Sequence, residues 1–400
     1  MDKLLRASQR ILPSNAAEGR LGSIELNLWL AQLVGLPLLG LKKESRLQKI
    51  VITLFGAIVL FSLFWYVIFE LYDLYLNWQD LDIMTQNLVL SLTHAAYWLK
   101  VFNTCYHYGS LKEIVHKLSV ITRVCVLSKK QTKTFHKAEM ESKLVMLMYF
   151  HLVLLPGVMG LVWVLIFPDD LAGIRFPYRV KIPDILPPIV QYFYMGMSVA
   201  LLALAITTID YLNVLLMNHI CMHLKVLNLA FDELHVTPDR KLKVEPYDWL
   251  LSIVKYHCEL IVLRQHVERI YRLPVMLQFV SSVVIVAMTA FQVIVGDGSK
   301  SSVIMDLLLS CVLCQLFLYC WFGNEVYEQS KTLSTSGFGC SWHEFDKKFR
   351  KTLLIFMINA DRPFLFTAGG FMGLTLPSFT FIISKSYSIV AVLRQMYSRT

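Results

Sequence analysis

Ser386, Val390, Leu393 and Arg394 stand at i, i+4, i+7 and i+8, on one narrow stripe of a helix. They lie in the apolar run 366–393, about 28 residues, which as a helix measures roughly 40 Å and exceeds the thickness of a bilayer core. A stripe of one hydroxyl, two aliphatic side chains and one cation suits a face turned to water inside a membrane. The chemistry it offers is ion passage, with Val390 and its neighbours forming an apolar constriction that opens by wetting. One helix cannot enclose a pore, so several copies are required. The plainer reading is that Lys385 and Arg394 snorkel to the interface at the outer end of a lipid-facing helix.

Other reactive side chains point to no catalysis. The sequence holds no HExxH, GxSxG or P-loop, and no set of intramembrane carboxylates at one depth. We therefore expect no enzyme and no cofactor. Cys311 and Cys314 form a CxxC inside an apolar run without nearby histidine or acidic ligands, which reads as packing and not as a metal site. No cysteine falls in an outer connection, so no structural disulfide is expected. His94, His107, His116 and His151 are isolated and read as packing or interfacial residues. Glu70, Asp73, Asp80 and Asp82, set among Tyr72, Tyr75 and Trp78, read as an acidic interfacial rim. Asp210 and Asp306 each fall near a span end, within reach of an interface. Lys385, about 13 Å deeper than Arg394, is expected to pair with Asp306. Met195, Met197, Met288, Met305, Phe291 and Tyr194 fall in the outer halves of three spans, where soft side chains suit a pocket for small apolar molecules.

These residues need a membrane scaffold to hold them. Of 400 residues, 56% are hydrophobic and only 17% charged, and the mean hydropathy is +0.54; this composition belongs to a polytopic membrane protein. Seven spans are predicted, at about 50–69, 83–105, 144–167, 189–216, 274–295, 303–323 and 366–393. Lys and Arg crowd the N-terminal segment and the second, fourth and sixth connections. The first connection has none, the third has Arg175, Arg179 and Lys181, and the fifth has Lys300. That bias places the N-terminus in the cytoplasm and the C-terminus outside. It also accounts for the net charge of +9 without a nucleic-acid footprint.

The fold class expected is thus an all-α membrane protein of seven transmembrane helices, with long cytoplasmic helical extensions forming an anchor. Residues 1–49 form a cytoplasmic segment without a removable signal, whose apolar piece 33–41 is too short to span. Residues 50–323 form the six-span bundle, 324–365 a cytoplasmic loop and anchor helix, and 366–400 the last helix and a short outer tail. An amphipathic helix is predicted over 111–127. The fourth connection is helix-patterned apart from 237–246. If the helix starting at Tyr247 runs through Pro274 to Val295, it measures roughly 70 Å and projects into the cytosol. A further helix is expected over 343–359.

The C-terminal third resembles the insect odorant receptors. LFLYCWFGNEVYEQS (316–330) followed by Ser341 and Trp342 is similar to that family's sixth span and following loop. RPFLFTAGGF (362–371), an apolar helix, SYS (386–388) and Leu393–Arg394 are similar to its seventh. The resemblance implies an odorant-gated, non-selective cation channel, a heterotetramer with the family's co-receptor, in the plasma membrane of a sensory dendrite. Its partners would be a small volatile odorant, membrane lipid and permeant cations. It also implies a pocket in the outer half, for which depth and side-chain type select Gln86, Val89, Leu90, Thr93, Gly160, Trp163, Tyr194, Met195, Ser198, Leu202, Met288, Phe291 and Gln292. Val390 matches an aliphatic gate position, whereas Arg394 stands where the co-receptor carries an aliphatic residue. With the short second cytoplasmic connection, this favours the odorant-tuned subunit. A gustatory-receptor-like homomeric channel and a G-protein-coupled receptor are the alternatives. The ending SYSIVAVLR departs from the gustatory pattern, and the charge bias and missing NPxxY count against the second.

Overall fold

The computed structural model describes residues 21–36, 46–79, 81–125, 129–166, 188–232, 245–295 and 300–397. Helices follow one another as α1 (Gly22–Leu33), α2 (Arg46–Leu76), α3 (Leu81–Tyr106), α4 (Tyr108–Cys125) and α5 (Lys129–Ile166). Then come α6 (Pro188–Asp232), α7 (Pro246–Val295), α8 (Lys300–Gly339), a 3-10 turn (Trp342–Glu344) and α9 (Lys347–Ala360). A hairpin of β1 (Thr367–Ala368) and β2 (Met372–Gly373) leads into α10 (Leu376–Tyr397). Among the described residues, Ile50–Leu76, Phe193–Asp232, Pro246–Ile294 and Asp306–Gly339 are long and apolar enough to cross a membrane, and Leu376–Val392 is a shorter apolar helix. The predicted spans 83–105 and 144–167 fall on α3 and α5. The expected breaks at 168–187 and 237–244 lie outside the described residues.

The helix α6 runs through the centre. Every residue from Thr207 to Leu224 is buried, as required of a helix enclosed on all sides, and α6 packs against α8, α5, α1 and α7. Its partner α7 is one continuous helix of 50 residues with Pro274 inside it, about 75 Å long. The long arm expected from the sequence is therefore present. So are α4 and α9, the latter opened by Asp346, whose carboxylate accepts from the Phe349 N–H at 2.9 Å.

The first described element, α1, lies ahead of the apolar piece 33–41 and shares only Leu33 with it; residues 37–41 lie outside the described residues. Ile24, Leu28 and Ala31, at i, i+4 and i+7, are buried and dock α1 on the bundle. Glu139 of α5 fastens its start, accepting from the Ser23 N–H at 2.6 Å and the Ser23 hydroxyl at 3.1 Å. One expectation changes: the last apolar run is not one helix from Phe366. Gly369 and Gly370 take φ of +67° and +87°, a conformation that favours glycine, and the chain turns back as the hairpin before α10 begins.

Candidate functional site: a buried carboxylate hub and the docked terminal helix

In the bundle half expected to hold the pocket, Val89 and Leu90 on α3, Ser198 and Leu202 on α6, and Phe291 and Gln292 on α7 are buried. Thr93, Tyr194, Met195 and Met288 are half-buried. Leu90 and Leu202 share one core, with Tyr194 and Met195 packed against it. The side chains of Gln86, Gly160, Trp163 and Leu393 lie outside the described residues. Tyr194 donates its hydroxyl to the Ser62 carbonyl at 2.9 Å, and its ring meets Tyr66 edge-on at 6.3 Å. Tyr66 in turn meets His94 at 6.2 Å.

Glu70 and Asp73 are not rim residues. Both are buried, Glu70 2.7 Å from His94 Nδ1 and Asp73 accepting from Asn87 Nδ2 at 2.6 Å. One helical turn separates them on α2, so they point inward on the face that packs on α3. His94 is accordingly not isolated.

Deeper in the bundle, three helices meet on one carboxylate and a fourth joins through Gln278. Lys100 Nζ of α3 donates to Asp210 Oδ1 of α6 at 2.6 Å and to Gln278 Oε1 of α7 at 2.5 Å. Tyr319 of α8 donates to Asp210 Oδ1 at 3.1 Å, and Gln315 of α8 donates to Asp210 Oδ2. Gln278 Nε2 reaches Gln315 Oε1 and Ser282 Oγ, each at 3.1 Å. Asp210 is 3% exposed and Lys100 3%, which corrects the expectation that Asp210 reaches an interface. A lone charge at this burial is prohibitively costly; here each one is paired and hydrogen-bonded.

The terminal helix is gripped by α7. Arg264 Nη1 donates to the Leu365 carbonyl at 2.9 Å, the Thr367 hydroxyl donates to Glu268 Oε1 at 2.6 Å, and the Gly369 N–H donates to the Arg272 carbonyl at 2.8 Å. These three grips follow one edge of α7 for two turns and set where α10 starts. Beyond the hairpin, the Ser386 hydroxyl lies 3.2 Å from the Val283 carbonyl of α7. Ile382, Ser386 and Val390, at i, i+4 and i+8, are buried on this docked face. Arg394, Tyr387, Ala391 and Val392 are exposed. The stripe expected to face water is thus divided in the single chain, with Ser386 and Val390 turned inward and Arg394 outward. Lys385 is exposed, its Nζ 5.3 Å from the Phe381 ring, and among the described residues no ion pair joins it to Asp306.

A family profile described as "7tm Odorant receptor" matches residues 80–387. The chain belongs to this family. Odorant receptor 85c of Drosophila melanogaster is 29% identical over 149 residues, 37% of this chain and 38% of that protein. Odorant receptor 67c of the same species is 23% identical over 209 residues, 52% of this chain and 51% of its own length. Odorant receptor Or2 of Anopheles gambiae is 25% identical over 149 residues, covering 37% and 39%. The matches thus span between about two fifths and half of these relatives' length. The structure of the insect olfactory receptor OR5 from Machilis hrabei covers 93% of this chain and 97% of its own at a TM-score of 0.80 and 19% identity. Its complex with eugenol gives a TM-score of 0.74 at the same identity and coverage. The receptor therefore has the olfactory receptor fold and is a multi-pass membrane protein.

The carboxylate hub was not found from the sequence of the receptor. Its mark was nevertheless present: Lys100, Asp210, Gln278 and Gln315 are long polar side chains inside apolar runs, each of which must find a partner away from water.

Proposed function

We propose that the receptor is a subunit of an odorant-gated, non-selective cation channel, assembled with the family's co-receptor as a heterotetramer. The supporting observation is the terminal helix: α10 docks on its own bundle through Ile382, Ser386 and Val390 while leaving a second, partly apolar face uncovered. The uncovered face carries Ser384, Lys385, Ser388 and Arg394, groups that are costly against lipid and suited to border a water-filled path.

In this reading the N-terminus is cytoplasmic, the C-terminus extracellular, and the membrane is the plasma membrane of a sensory dendrite. A small volatile odorant occupies the outer half among Val89, Leu90, Thr93, Tyr194, Met195, Ser198, Leu202, Met288, Phe291 and Gln292, with Gln86, Gly160 and Trp163 completing the wall. The OR5 receptor of Machilis hrabei was solved with eugenol, a ligand of the small aromatic kind such a pocket accepts. Odorant binding favours the state in which α10 leans away and the constriction at the level of Val390 wets, and the differential affinity for that state is the energy source. The test is electrical. Expressed with the co-receptor and with G-protein signalling blocked, the receptor should pass odorant-evoked cation current; expressed alone it should pass none. Current from the chain alone would make it a homomeric channel, and current lost on G-protein block would overturn the channel reading.

A further inference from the structure

On the channel reading above, we propose that Asp210 is a positioning residue for the gate: its cluster fixes α7 in the place where the Val390 face of α10 stays docked. Asp210 receives Lys100, Gln315 and Tyr319, and so gathers α3, α6 and α8. Gln278 passes the connection to α7, accepting from Lys100 at 2.5 Å while donating to Gln315 and Ser282 at 3.1 Å. The residue after Ser282 is Val283, whose carbonyl lies 3.2 Å from the Ser386 hydroxyl. Val390 follows Ser386 by one turn on the same buried face. Hydrogen bonds and one backbone step of α7 thus connect α3 and α6, two of the helices carrying the proposed pocket residues, with the docked face of the terminal helix, where the Ser386 hydroxyl also reaches the Ile382 carbonyl at 3.0 Å.

Adhesion alone does not account for this arrangement. A buried ion pair contributes little net stability compared with packed apolar residues of the same volume, because desolvation offsets the attraction. What it supplies is direction: each bond holds over a few tenths of an ångström and one orientation, so the cluster has a formed state and broken ones with little between. Gln278 is the vulnerable member. Its carbonyl faces α3 and its amide faces α8 and Ser282 one turn along its own helix, so a shift of α3 or α8 relative to α7 strains its bonds. Coupling through such an element requires two discrete arrangements, and a saturated hydrogen-bond cluster provides them.

The test reads docking directly. In the receptor expressed with its co-receptor, Val390→Cys is labelled by a membrane-impermeant thiol reagent with and without Asp210→Asn, against a parent lacking the new cysteine. Labelling should accelerate at least fivefold in the Asp210→Asn background. Agonist-free current per surface receptor should rise with it. Gln278→Met, which leaves the Lys100–Asp210 pair intact but cuts the link to Ser282, should act in the same direction, and Ser386→Ala should add little to either variant. Unchanged labelling in both the Asp210→Asn and Gln278→Met receptors, or effects that simply add to Ser386→Ala, would overturn the proposal. If Asp210→Asn fails to reach the surface, the Gln278→Met result decides. Should the wild-type receptor pass no current with any odorant, the channel reading fails, while the labelling rates still judge the coupling.

Discussion

Glu139 shows how one side chain fastens an element. Its carboxylate accepts from the Ser23 N–H and hydroxyl at the start of α1 and lies 3.2 Å from His219 Nε2. The other imidazole nitrogen, Nδ1, is 2.8 Å from the Leu215 carbonyl and donates to it. Burial pushes the Glu139 carboxyl up, but His219, the Ser23 N–H and Lys143 together bring it below the ordinary carboxylate value. A depressed carboxylate contributes stability that is complete above its unfolded value and is lost as the pH falls through the folded one. The attachment of α1 should therefore hold at neutral pH and weaken below about pH 4.5. Glu139→Gln keeps the shape and removes the charge that Ser23 and Lys143 meet. Losing a buried, hydrogen-bonded carboxylate costs about 1–3 kcal/mol. We expect a lower Tm for the detergent-purified variant at pH 7, and a smaller further drop on acidification than in wild type.

At the scale of elements, the hairpin before α10 is the least forgiving connection. A Cβ on Gly369 would come 2.5 Å from Met276 Sδ of α7, at a φ of +67°. Gly369→Ala should destabilise by about 1–2 kcal/mol from the backbone alone, with Met276→Ala relieving the Met276 contact but not the 2.7 Å approach to the Phe371 ring; thermal unfolding of the single and double variants reads the difference. Gly323→Ala is the sharper case, because its Cβ would meet the Leu374 carbonyl oxygen at 2.5 Å and backbone has no rotamer with which to yield. We expect little folded receptor at the cell surface for that variant, measured by labelling of intact cells. The same comparison shows what was legible in the sequence. The rod α7 was, because apolar periodicity continues on both sides of Pro274. The hairpin was hidden because Phe366–Met372 is as apolar as a span, and the paired glycines were its only local sign. The hub was illegible for a different reason. Asp210 meets Lys100 across 110 residues and Gln315 across 105, and depth along one helix does not say what stands opposite on another.

For the whole molecule, orientation and assembly follow from charge and from uncovered surface. If the basic connections lie in the cytoplasm, a tag after Thr400 should be reached by antibody on intact cells, and a tag before Met1 only after permeabilisation. At the opposite end of the fold, α9 buries Phe349, Leu353 and Phe356 against the bundle but leaves Leu354, Ile355 and Ile358 exposed. Within the proposed heterotetramer these are contact residues between anchors. Leu354→Asp combined with Ile358→Asp should lower the amount of co-receptor recovered with the purified receptor while leaving its own Tm within a few degrees of wild type.

In the proposed channel, α7 would also serve as a lever. A tilt of about 5° around the middle of so long a rod moves either tip by roughly 3 Å, more than half a helical turn. If an odorant, through its few contacts, supplies only a small rotation, so long a helix would turn it into travel comparable to the width of a dehydrated ion, without any larger rearrangement around the ligand itself.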